Sequence, residues 1–101
     1  MSTEVYKIGE SLDSSNANAE QPKILAIIEK GDNVVLDLSG CKYVSSAGLR
    51  VLLYTYKVAS PKGLKVSLAG VSDEIKDVME MTGFDKFFEF YQTAEEAVCK
   101  E

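Results

Sequence analysis

Val34-Val35-Leu36-Asp37-Leu38 is a nearly continuous apolar run, too short to be a helix of its own. A strand reads this way when helices cover both faces of its sheet, because neither face then alternates with water. Such burial belongs mainly to parallel sheets, whose strands are joined by helix-sized crossovers. The run therefore demands helical segments before and after it.

The flanking sequence supplies them. Val5, Tyr6 and Ile8 predict a short strand, and the polar stretch from Gly9 to Asn18 reads as turn material leading into a helix. Ile24, Leu25, Ile27 and Ile28 give that helix an apolar face, with Pro22 expected in the first turn or at a break between two pieces and Gly31 as the stop. Beyond the central run, Leu49, Leu52, Leu53, Tyr56 and Ala59 recur at helical spacing, leaving Arg50, Tyr54 and Lys57 mainly on the opposite side. This helix should end before Pro61 or Gly63.

Leu64, Val66 and Leu68 alternate with Lys65, Ser67 and Ala69, predicting a strand with one face more buried than the other. Ser72 is placed to cap a third helix, with Asp73 and Glu74 near the positive end of its dipole and Ile75, Val78, Met79 and Thr82 as its inward stripe. Gly83 fits a C-terminal cap. Phe87, Phe88, Phe90 and Tyr91 predict a last strand, and Thr93-Ala94-Glu95-Glu96 has the spacing of a capping box. The order β-α-β-α-β-α-β-α defines an α/β domain spanning 1–101, its mainly parallel central sheet packed with helices.

Charge and residue type narrow the chemistry. Eleven basic against sixteen acidic side chains give a net charge of -5, which opposes binding to nucleic acid or to anionic membrane surfaces. Histidine is absent, and Cys41 and Cys99 lie far apart, so neither a Cys/His metal cluster nor a catalytic dyad is expected. Cys41 reads as a small buried or half-buried thiol. No Gly-rich phosphate loop or Gly-x-Ser-x-Gly elbow occurs. No cofactor, no metal and no catalytic residue follow from the sequence. The first residues lack the apolar run of a secretory signal, and no segment is long enough to span a bilayer, so the cytoplasm is the expected location.

The segment from Asp37 to Leu49 is the informative one, because it sets hydroxyls at the start of the amphipathic helix. Taken alone, Ser45 or Ser46 reads as a helix cap. Gly48 reads as a position where missing side-chain volume allows close approach.

This segment resembles the STAS domains, above all the bacterial anti-sigma factor antagonists, in Asp37-Leu38-Ser39, Val44 and Ser46-Ala47-Gly48-Leu49. The likeness continues through Gly9-Glu10-Ser11-Leu12-Asp13, Ala69-Gly70-Val71, Met81-Thr82-Gly83-Phe84 and Thr93-Ala94-Glu95-Glu96-Ala97, nearly the whole chain. Two departures stand out: Ser45 occupies a position where relatives often carry aspartate, and Ala47 one where they often carry serine or threonine. The chain also begins close to its first strand, where many relatives have an additional edge strand.

The resemblance implies that Ser46, or Ser45 in its place, is phosphorylated by an anti-sigma factor with serine kinase activity. It implies further that Asp37, Ser39, Ser45, Ser46 and Gly48 meet that partner. The unmodified domain would bind the anti-sigma factor and free its sigma factor, and phosphorylation would end the engagement. A phosphorylation-independent scaffold or ligand-sensing module is the alternative. A serine hydrolase ranks third, for want of a base.

Overall fold

A computed structural model describes residues 2–100, and of Lys100 the backbone alone. The strands are β1 (Thr3–Lys7), β2 (Ser11–Leu12), β3 (Asn33–Asp37), β4 (Tyr43–Val44), β5 (Val66–Ala69) and β6 (Glu89–Tyr91). The helices are α1 (Ala17–Glu29), α2 (Ser46–Ala59), α3 (Asp73–Thr82) and α4 (Ala94–Lys100), with 3₁₀ turns at Ser60–Lys62 and Phe84–Phe87. Four strands form one sheet in the order β1-β3-β5-β6, and β2 with β4 forms a small second sheet. Every pairing is parallel, as the apolar run of β3 requires.

Strand β3 lies inside the sheet, with Val34, Val35 and Leu36 fully buried. Its side chains alternate between two unequal cores. Val34 and Leu36 join Leu68, Ile24, Ile28, Leu52 and Met79 in the large core beneath α1, α2 and α3. Val35 points the other way, to Ala69 and to Ala97 of α4. Helix α4 starts on the expected capping box, slightly shifted: Glu96 N donates to Thr93 Oγ1 (3.1 Å), and Glu96 Oε1 accepts from Gln92 N (3.3 Å).

Several local expectations need correction. Pro22 lies neither in the first turn nor at a break but in the second turn of an unbroken α1. Its ring denies Asn18 a carbonyl partner, and both residues face water, where that loss is small. Strand β5 is buried at all four positions rather than on one face, because α4 covers the side carrying Ser67 and Ala69. The inward stripe of α2 is wider than predicted: Val51 and Thr55 are buried, while Leu53 and Tyr56 are half-buried. Thr55 tolerates burial because its hydroxyl donates to the carbonyl of Val51 (2.8 Å). On α3 only Ile75 and Met79 are buried, and Val78 and Thr82 are exposed. Phe87 closes a 3₁₀ turn instead of opening β6.

Candidate functional site

Two loops at the C-terminal ends of the strands carry the predicted residues. In the first, Asp37 ends β3 and its Oδ1 accepts the N–H of Ser39 (2.9 Å), an Asx turn that bends the chain out of the sheet. Leu38 N donates to the carbonyl of Ala69 (2.8 Å), fixing this turn against the end of β5. Gly70 follows with φ +68°, and a Cβ there would stand 2.8 Å from Ser39 Cβ. The turn at Ser39 and the glycine therefore require one another.

Cys41 then enters the core, 3% exposed, with its thiol donating to the carbonyl of Tyr43 (3.3 Å). Burial pushes its pKa up and keeps it protonated, as the sequence reading of a buried thiol expects. Lys42 N reaches the carbonyl of Glu10 (2.7 Å), bringing β4 beside β2. This pairing sets the position of the second loop.

There, Ser45 N donates to the carbonyl of Leu12 (3.0 Å), and its backbone is extended at φ −85°, ψ 178°. Its Oγ accepts the N–H of Gly48 at 3.4 Å, and its carbonyl accepts from Leu49 N (2.9 Å). Ser45 is thus the N-cap of α2. Ser46, the first helical residue, is exposed, and its hydroxyl makes no hydrogen bond among the described residues. The first turn of α2 carries no acidic side chain of its own to meet the positive end of its dipole.

Gly48 is the wedge that makes this placement possible. A Cβ at this position would lie 2.2 Å from the Leu12 carbonyl oxygen and 2.9 Å from Val44 Cγ1. The helix start rests directly on the small β2-β4 sheet, with Ser46 turned outward. The sequence reading of Gly48 as a close-approach residue identifies the cause. Its contact with Leu12 was not legible, since two-residue strands have no period to detect.

Ser45, Ser46 and Gly48 therefore form one unit, and Asp37 with Ser39 forms another. Among the described residues no hydrogen bond joins the two. Arg50 was set aside in the sequence as a residue on the outer side of α2. It lies one turn beyond Ser46, and that four-residue spacing was the signal to notice.

The geometry is that of a small α/β fold with a serine hydroxyl displayed at a helix start. The chain belongs to the STAS domain family, whose sequence pattern matches residues 2–97. It is 33% identical over 89 residues to a Bordetella bronchiseptica protein provisionally assigned as an anti-sigma factor antagonist, BtrV, covering 87% of this chain and 77% of that protein. The fold matches the Bacillus cell fate determinant SpoIIAA in its phosphorylated form, with a TM-score of 0.76 at 19% identity over 97% of this chain and 89% of that one. It also matches a sulfate transporter family protein from Wolinella succinogenes, with a TM-score of 0.84 at 19% identity over 97% and 83% of the two chains. Among the described residues, no helix is long and apolar enough to cross a membrane.

Proposed function

We propose that this domain is an anti-sigma factor antagonist, binding an anti-sigma factor with serine kinase activity and thereby freeing its sigma factor. Phosphorylation of Ser46 ends the binding. The observation that carries this reading is the exposed, unbonded hydroxyl of Ser46 beside a Ser45 that already serves as the cap. Capping and phosphoacceptance then fall to different residues, and modification need not unmake the helix start. The name of the Bordetella relative supports the class of partner.

In the transfer step the Ser46 oxygen attacks the γ-phosphorus of ATP, ADP departs, and the hydroxyl proton passes to a base of the kinase. Ser46 is a substrate and not a catalyst, as the chain has no histidine to activate it. Asp37 and Ser39 shape the neighbouring loop of the proposed contact surface, and Ser45, Ser46 and Gly48 form its centre. A phosphate adds about -1.5 to -2 units of charge. At an interface fitted to a neutral hydroxyl, a loss of about 3 kcal/mol weakens binding on the order of a hundredfold.

Titration calorimetry with the anti-sigma partner, before and after incubation with ATP, tests this function. ATP treatment should weaken binding of the wild-type domain on the order of a hundredfold and spare that of Ser46→Ala. Binding that is equally strong for both after ATP would favour the phosphorylation-independent scaffold.

A further inference from the structure

Arg50 is the only arginine in the chain, and it is exposed on α2 four residues after Ser46. Side chains separated by one helical turn stand about 5–6 Å apart at Cβ. Those of a helix also lean toward its N-terminus, so the turn that carries Ser46 is within reach of Arg50. With Gln21 of α1 and with Leu53, Tyr54 and Lys57, Arg50 lines a shallow groove of about 310 Å³. This groove is cationic in a chain of net charge -5.

Among the described residues no carboxylate lines it. Helix α2 contains no aspartate or glutamate between Ser46 and Ala59, and Gln21 across the groove is neutral. Among the described residues Arg50 forms no salt bridge, whereas Lys23, Lys30 and Lys65 all do. Within one turn of Arg50 on its own helix, a modified Ser46 is the one hydroxyl that an anion would occupy on the N-terminal side. A guanidinium presents a planar fork of donors that matches two phosphate oxygens.

We propose that a phosphate on Ser46 is held inside the domain by Arg50, and that modification thereby withdraws Arg50 from the α1-α2 groove. The inference rests on the reading of Ser46 as the acceptor. Arg50 and Lys57 together contribute about two positive charges to the groove, and a phosphate of about -1.5 to -2 nearly cancels them. The modification then changes a surface as well as a point: an acidic partner segment drawn to the groove loses its attraction along with its contact at Ser46.

The test uses the full chain with phosphoserine installed at position 46 by genetic encoding, so no kinase is involved. Its ³¹P resonance is titrated through the second phosphate ionisation in the wild-type background and in Arg50→Gln, Arg50→Lys and Lys57→Gln. The phosphoserine pKa should lie at least about half a unit lower in the wild-type background than in Arg50→Gln, a change of about threefold in proton affinity, and Arg50→Lys should restore part of it. Lys57→Gln should move it less. The Nε–H signal of Arg50, the single arginine signal of the chain, should shift with the same midpoint as phosphorus. Coincident titrations in wild type and Arg50→Gln, or an Arg50 signal indifferent to phosphate ionisation, would overturn the clamp. Either result would leave open whether a kinase modifies Ser46. Conversely, a kinase that ignores Ser46 would leave a measured clamp standing.

Discussion

Helices α2 and α3 begin with the same device and put it to different ends. Ser45 and Ser72 each cap their helix by accepting the N–H of its third residue, at 3.4 Å from Gly48 and 3.2 Å from Ile75. In α3 the first two residues are Asp73 and Glu74, whose carboxylates already compensate the dipole, and the third is Ile75, buried in the main core. In α2 the corresponding residues are Ser46, Ala47 and Gly48. The start of α3 is closed by its own charges and by a plugged side chain. The start of α2 is held by backbone proximity to Leu12 and has no acidic residue in its own first turn. A helix built like α3 gains little from another anion, while one built like α2 accommodates a phosphate without losing a carboxylate or a core contact.

The sharpest way to break this comparison is to exchange bulk at the third position. Ile75→Ala should destabilise the domain by about 2–5 kcal/mol, because it removes a buried side chain and leaves a cavity. Gly48→Ala should cost about 1–3 kcal/mol despite alanine's better helix propensity, because its methyl meets the Leu12 backbone. Urea unfolding measures both. If Gly48→Ala is neutral or stabilising, α2 does not rest on β2 as described.

Removing the caps is a milder intervention. Ser72→Ala should lose about 1 kcal/mol, and Ser45→Ala less, because its bond to the helix is longer. Ser46→Ala should lose the least of the three, since its hydroxyl caps nothing. Thermal unfolding of the three variants ranks them. A Ser46→Ala loss as large as that of Ser45→Ala would reverse the division of roles between the two serines.

Charge exchange at the first position should give the smallest effect and the most specific sign. Ser46→Asp should stabilise the fold by about 0.3–1 kcal/mol at low ionic strength, and Asp73→Ser should destabilise it by a similar amount. Both effects should shrink at high salt. Equal signs for the two variants would mean that the starts of α2 and α3 are not electrostatically distinct.

How much of this the sequence discloses depends on the range of the interaction concerned. The continuous apolar run of β3 and the helical spacing from Leu49 to Ala59 arise from burial over many residues, and both elements stand where they were expected. The double burial of β5 was hidden because Lys65-Val66-Ser67-Leu68-Ala69 alternates, and only the packing of α4 reveals that Ser67 and Ala69 are covered. Val78 has an inward spacing yet is 40% exposed, because α3 meets the core through Ile75 and Met79 alone. At the site, either adjacent serine satisfies the local preference for a cap, so sequence could not assign the role. The extended backbone at Ser45 and the seating of Gly48 on Leu12 assign it.

The central claim is that Ser45 holds the helix while Ser46 takes the phosphate. Phosphopeptide mapping by mass spectrometry, after incubation of wild type, Ser45→Ala and Ser46→Ala with ATP and a kinase that binds the domain, tests it most directly. The account predicts a single phosphate on Ser46 in wild type and in Ser45→Ala, and none in Ser46→Ala. Phosphate on Ser45 in the wild-type protein, or undiminished incorporation into Ser46→Ala, would contradict it.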